Sequence, residues 1–368
     1  MLAVDRRLVQ NFDWGLAALA LGLSGLGVVN LISAAPVDPG RIPALAIRQL
    51  AWLGVGTVAM LTILAIDYRV WERLAVPAYV VGVLLLVAVL LFAPVIKGSQ
   101  RWLVLGPANL QPSEFAKLTL ILILARYVHR RGAGPEARLQ ELIVPLVLVL
   151  IPVVLILQQP HLGSGLLLLL IAGSFLLVVP VPLRSIGWMA AVVGAAAGGA
   201  WLFYLRDYQK ERVLTFLNPE RDPLGAAYHS IQSQIAIGSG GFFGEGFLQG
   251  SQSQLQFLPE QPTDFVFSVL AEEWGFLGVT VVLSLYLGLL LRGLVVARTA
   301  KNLFGSALAL GAVSVLFWPA AVNLAMVVGL LPVVGVPIPF LSYGGSSLLV
   351  SLIATGILMN VSMRRYLF

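Results

Sequence analysis

An all-α, polytopic membrane protein with about ten transmembrane helices is the fold class this sequence predicts, and three observations predict it. Of 368 residues, 59% are hydrophobic and only 11% charged, and the mean hydropathy of +0.93 is far above that of a soluble domain. The apolar residues gather into runs long enough to cross a bilayer. Lys and Arg concentrate in alternate connections between those runs, as they do in membrane proteins.

Ten runs reach the length of about 17–25 residues that a spanning helix needs: roughly 14–33, 46–66, 74–93, 112–128, 141–157, 164–180, 184–205, 265–291, 303–329 and 345–363. Unpaired backbone amides are too costly in hydrocarbon, and runs this long and uniform do not read as barrel strands, so each is expected to be a helix. The first run is read as retained rather than as a signal peptide, because it is long and a second run follows closely. An even number puts both termini on one side. With the termini cytoplasmic, Arg6, Arg7, Arg69, Arg73, Arg126, Arg130, Arg131, Arg138, Arg184, Arg292, Arg298, Lys301, Arg364 and Arg365 fall inside, while the short outer connections hold only Arg41, Arg48, Lys97 and Arg101. The net charge of +6 is therefore a readout of orientation, and no nucleic-acid partner is expected.

The connection from about 206 to 264, between the seventh and eighth helices, is by far the longest, and is expected to be extracytoplasmic with one or two short interfacial helices. No fixed-period repeat is visible, so residues 1–368 are read as a single membrane domain. The absence of cysteine excludes disulfides and thiolate metal sites, and His129, His161 and His229 are scattered. No cofactor is evident.

Four polar stretches interrupt the apolar pattern, all at the expected outer face. In GSQRWLVLGPANLQPSEFAKL (98–118), Glu114 and Lys117 are three apart and share a helix face. They are either snorkelling side chains at a helix start or, with Arg48 and Arg101 near, part of an anion site. QQPHLGSG (158–165) reads as an ordinary turn, and His161 as a surface or hydrogen-bonded residue. In residues 233–278, Gly238, Gly240, Gly241, Gly244 and Gly246 could cradle phosphate oxygens, although the pattern matches no phosphate-loop motif. Further along the same stretch, Asp264 follows Pro262 at the mouth of an apolar run, as a helix cap or as a catalytic acid–base group. In GLLPVVGVPIPFLSYGGSSLL (329–349), Pro332, Pro337 and Pro339 forbid a regular helix, so this backbone should be buried in protein or line a wet cavity. Ser342, Tyr343 and Ser346 there offer hydroxyls at a helix start, suited to pyrophosphate or sugar.

Together, GSQRWLVLG, QPSEFAKL, FLPEQPTDFVFSVLAEEWGFLG and VPIPFLSYGGSSLL, in this order across nearly the whole chain, resemble the SEDS (shape, elongation, division and sporulation) family of membrane glycosyltransferases. The short N-terminus is more like the family's rod-shape branch than its division branch. The resemblance implies a protein of the bacterial cytoplasmic membrane that joins lipid II units into β-1,4 glycan strands at the outer face, for cell elongation and shape. It also implies a class B penicillin-binding protein as transpeptidase partner. One departure stands out: the family usually has an acid where this chain has His161.

Carried onto this chain, the implied site has Asp264 as base for the acceptor hydroxyl. Lys117, Arg48 and Arg101 neutralise the leaving pyrophosphate, and Glu114 orients Lys117 or an attacking group. Gln111, Ser342, Tyr343 and Ser346 are expected substrate contacts. An α-linked donor and a β-linked product imply inversion, and a pyrophosphate leaving group neutralised by cations needs no second acid, so one carboxylate suffices. A divalent cation such as magnesium or manganese beside Glu114 and Asp264 is compatible with this chemistry, though no metal motif is present. A lipid II flippase and a non-catalytic scaffold for cell-wall enzymes are the alternatives. A flippase would be expected to carry its charges near the membrane midplane and to show repeats.

Overall fold

The computed structural model describes residues 10–35, 42–94, 100–105, 108–132, 139–179, 181–203, 205, 207–218, 220, 222, 225, 227–258 and 260–365. In chain order its helices are α1 (Trp14–Ala34), α2 (Ala44–Ala65), α3 (Tyr68–Phe92), α4 (Pro112–Arg131), α5 (Ile143–Gln158), α6 (Leu162–Ser174), α7 (Leu183–Phe203), α8 (Asp207–Leu217), α9 (Tyr228–Ser239), α10 (Ser251–Gln254), α11 (Val266–Thr299), α12 (Leu303–Val327) and α13 (Gly345–Arg364). A two-stranded antiparallel hairpin, β1 (Leu103–Leu105) with β2 (Ala108–Leu110), precedes α4. Among the described residues, a helix covers each of the ten predicted runs. The long connection holds three short helices, α8 to α10, rather than one or two.

Eight of the helices are long and apolar enough to cross a membrane. The other two are α4, which carries Glu114, Lys117 and a basic last turn, and α6, which is short. Helix α4 tolerates its charges because neighbours cover it: it packs between α3 and α12 and against α6 and α13, with Glu114, Lys117 and most of its apolar residues buried. Helices α12 and α13 form the centre, with 72% and 94% of their most apolar windows buried. Around them α2 packs on α13, and α1 and α12 on α11. Helix starts are locally encoded: Asp13 accepts from Leu16 N, Asp67 from Arg69 N and Asn302 from Gly305 N, and Pro112 occupies the first turn of α4.

The two ends of the bundle differ. At one end Arg292 faces Asp13 at 3.5 Å, Arg364 faces Asp67 at 3.7 Å and Arg131 bonds Glu141 at 2.9 Å, with Arg126 on the carbonyls of Glu72 and Arg73. The irregular segments and the candidate site residues occupy the other end.

Helix α11 is not continuous. Gly275 has φ 61° and ψ −163°, a conformation open essentially to glycine alone, and it breaks the helix within a membrane-length segment. The glycine-rich loop before α10 repairs the break. Glu245 N donates to Glu272 O at 2.9 Å and Gly246 N to Glu273 O at 3.1 Å, while Phe276 N and Leu277 N donate to Gly241 O and Phe242 O at 2.9 and 3.1 Å. The approach is so close that a Cβ on Gly244 would lie 2.1 Å from Glu273 O. The Glu272 carboxylate then holds the start of α10, accepting from Gln252 N at 2.6 Å and Ser253 N at 3.1 Å. Glu273 accepts from Ser33 Oγ and Leu248 N. The glycine cluster is thus occupied in closing a broken helix, and the phosphate nest considered for it is not what these amides do.

Gly275→Ala should therefore lose about 1–3 kcal/mol, the scale of a residue forced into a disallowed backbone conformation. Thermal unfolding of the detergent-solubilised protein measures it, and an unchanged midpoint would remove the joint from the account.

Candidate functional site

The site begins with irregular backbone that must be satisfied away from water. Residues 329–344 lack regular structure, as their three prolines require, and buried side chains from neighbouring helices bind them. Asn323, wholly buried on α12, donates to Val336 O at 2.6 Å and to Asp264 O at 2.8 Å. Gln49, wholly buried on α2, donates to Ser342 O at 3.1 Å and accepts from Gly344 N at 3.4 Å. Tyr343 N donates to Pro262 O at 2.7 Å, tying this segment to the 260–264 turn.

Asp264 lies on that turn, partly exposed, with its N–H on Glu260 O at 3.1 Å. It precedes α11 but does not cap it. Phe265 stands at the cap position, there is no side-chain cap bond, and no acid occupies the first turn. Asp264 Oδ2 faces Gly335, where a Cβ would come within 3.4 Å and where φ is +66°.

Glu114 and Lys117 are one turn into α4, 4% and 3% exposed, with Lys117 Nζ 2.8 Å from Glu114 Oε2. The approach has the distance of an ion pair but not the angle of a hydrogen bond, since Oε2 has no hydrogen-bond partner. Both point into the protein, which overturns the snorkelling alternative. Above them Gln111, at the cap position of α4, donates its N–H to Ser346 Oγ at 3.0 Å.

Arg101 bonds Pro160 O through Nη2 at 3.0 Å, bringing it to the α5–α6 turn. There Gln159 is buried, donating to Leu86 O at 3.1 Å, and His161 is 8% exposed. Burial, helped by the positive charges of Arg101 and Lys117, lowers the His161 imidazole to about 3. His161 is therefore a neutral side chain beside two cations, and of the surface and hydrogen-bonded readings its burial removes the first. The turn adjoins the irregular segment: a Cβ on Gly163 would lie 2.7 Å from Val334 O. Segment 334–336 thus borders both the Arg101–His161 turn and Asp264.

Among the predicted contacts, Tyr343 is partly exposed and Arg48 is exposed beside Gln49. Ser342 and Ser346 are only 3% and 2% exposed. Ser342 Oγ accepts from Ile338 N at 2.9 Å, and Ser346 Oγ holds Gln111 N and points to Asn109 O. These two serines build the wall rather than line it, because a buried hydroxyl goes to the nearest loop amide. Among the described residues no group of three or more His, Asp or Glu could hold a metal ion, and Glu114 faces Lys117. Gln49 and Asn323 were missed in the sequence, where a lone amide in an apolar helix was the available signal.

Residues 14–367 match the protein family described as Cell cycle protein, which takes in FtsW, RodA and SpoVE. The chain is 45% identical over 356 residues to peptidoglycan glycosyltransferase MrdB of Escherichia coli (strain K12), covering 96% of this chain and 94% of the relative. It is 33% identical to peptidoglycan glycosyltransferase RodA of Treponema pallidum (strain Nichols), covering 97% and 99%. A solved peptidoglycan synthase complex that coordinates polymerization and crosslinking contains a chain of the same fold, with a TM-score of 0.82 and 36% identity over 97% of this chain and 99% of that one. The crystal structure of the rod shape determining protein RodA of Thermus thermophilus matches at a TM-score of 0.73 and 34% identity, covering 97% and 98%. With this fold and extent of match, the chain belongs to the SEDS family.

Proposed function

We propose that this protein is a peptidoglycan glycosyltransferase that polymerises lipid II into β-1,4 glycan strands at the outer face of the bacterial cytoplasmic membrane. The observation that carries the reading is a partly exposed carboxylate, Asp264, outside the first turn of α11 and facing a segment that also borders the Arg101–His161 turn. The names of the relatives and the one-ended distribution of the site residues support it. The basic end of the bundle then faces the cytoplasm and the Asp264 end faces out.

In the proposed reaction the Asp264 carboxylate takes the proton of the acceptor hydroxyl. That oxygen attacks the donor's anomeric carbon in line, and the bond to pyrophosphate breaks with inversion. Pyrophosphate leaves as an anion, stabilised by Lys117, Arg101 and Arg48, with Glu114 fixing the position of Lys117. Tyr343 and Gln111 are proposed sugar or phosphate contacts. A class B penicillin-binding protein is the proposed partner, in line with the crosslinking activity of the related complex.

The direct test is polymer formation from purified lipid II by the solubilised protein with its partner. Asp264→Asn should lower the rate by about 10²- to 10⁴-fold, the usual worth of a general base, whereas a retained rate would leave Asp264 a structural residue. Absence of polymer from the wild type, with a verified partner, would favour a flippase or scaffold.

The ion pair allows structure and chemistry to be separated. Glu114→Gln strands the buried Lys117 and should cost about 3–5 kcal/mol of stability. Adding Lys117→Met should restore the unfolding midpoint without restoring polymerisation, and restored activity would contradict the role given to Lys117.

His161 makes a pH prediction. Unfolded, it binds a proton as pH falls through about 6.5, whereas the folded group binds one only near 3. The unfolded chain holds more protons between these values, so stability falls as pH drops across them. His161→Asn should flatten that slope between pH 7 and 5 in thermal unfolding. An unchanged slope would assign it to other groups.

A further inference from the structure

The break in α11 lies beside a cavity of about 380 Å³ that the proposed chemistry does not use, lined by residues that include Leu26, Asn30, Phe247, Glu273, Trp274 and Val281. At ~30 Å³ for each water-sized atom, it holds on the order of a dozen non-hydrogen atoms. The walls are apolar, and Trp274, Leu277 and Val281 are 40%, 53% and 51% exposed, so the mouth is on the lipid-facing side of α11.

Two lining residues are polar and 2% exposed each. Asn30 donates its amide N–H to Val266 O at 2.8 Å, leaving Oδ1 without a partner. Glu273 Oε1 accepts from Ser33 Oγ and from Leu248 N, while Oε2 closes no hydrogen bond, although the Gly250 amide lies nearby. A buried oxygen without a donor is rare in native structures, and a bound group that donates is one way to complete it. Here both missing partners are donors, and the lining residues include no cation to attract an anionic head.

We infer that this cavity binds the single apolar chain of an amphiphile whose head group donates hydrogen bonds and carries no negative charge, such as an ammonium or a hydroxyl. The chain enters past Trp274 and Val281, and the head reaches Asn30 and Glu273. A ligand seated there touches α1, both halves of α11 and the glycine-rich loop, and so braces the joint at Gly275. The inference is independent of the glycosyl-transfer reading.

The test uses the full-length protein in phosphatidylcholine nanodiscs, photolabelled with diazirine-bearing dodecylamine, dodecanol and dodecanoate. Amine and alcohol should label peptides containing Trp274 or Leu26 at least fivefold more than the acid does. Val281→Trp, which fills the cavity from its lipid side without touching the polar pair, should reduce that labelling at least fivefold. Equal labelling by the acid, labelling that survives Val281→Trp, or no labelling by any probe would overturn the proposal. Asn30→Leu, tested in parallel, should abolish the preference for donor heads while retaining chain labelling, and an unchanged preference would count equally against it.

Discussion

A backbone amide or carbonyl without a partner costs several kcal/mol in hydrocarbon, and this constraint organises the whole molecule. Helices meet it by themselves. The segments that are not helical meet it where buried side chains can reach them: Asn360 binds the 63 and 66 carbonyls at the basic end, and the irregular end has several such amides. Asn323 binds the 264 and 336 carbonyls, Gln49 binds the 342–344 turn, Gln159 binds Leu86 O and Asn30 binds Val266 O. A few amides on otherwise apolar helices thus permit an irregular end, and an irregular end is where a substrate can meet backbone and charge.

The charges follow from the same constraint. Glu114 and Lys117 remain inside because each offsets the other, and removal of one leaves an uncompensated ion. Glu272 remains because loop amides bind both of its oxygens, and Glu273 because Ser33 Oγ and Leu248 N bind one of its own. Asp264 differs in being partly exposed, off the helix cap and on a turn tied down from both sides. A partly exposed acid held in position on a tied-down turn fits a base, and the cation on the neighbouring turn fits an anion site. Inverting transfer from a pyrophosphate donor asks for little more.

Much of this was legible in the sequence. Helix positions were, because runs of ordinary helix formers without charge have only one stable form in lipid. The irregular 329–344 segment was legible in its prolines, and the four motif stretches carried the family. The break at Gly275 was not, since hydropathy averaged over a window passes smoothly across one glycine, although a glycine just after two glutamates was a visible sign. The role of the glycine cluster stayed open because the freedom that lets glycine approach a phosphate also lets it approach another backbone. Ser342 and Ser346 looked like substrate contacts because a hydroxyl at a helix start has the same sequence signature whether it faces a ligand or a neighbouring amide. Their burial depends on the hairpin and α2, far away in sequence.

Polymerisation of a lipid-linked sugar as proposed requires the Asp264 end of the bundle to face outward. The chain contains no cysteine, so a single one can be read cleanly. Thr263→Cys beside Asp264 and Arg130→Cys at the basic end would each be exposed to a membrane-impermeant maleimide in right-side-out vesicles. The account predicts that position 263 is labelled in intact vesicles and position 130 only after permeabilisation, and the reverse pattern would contradict it.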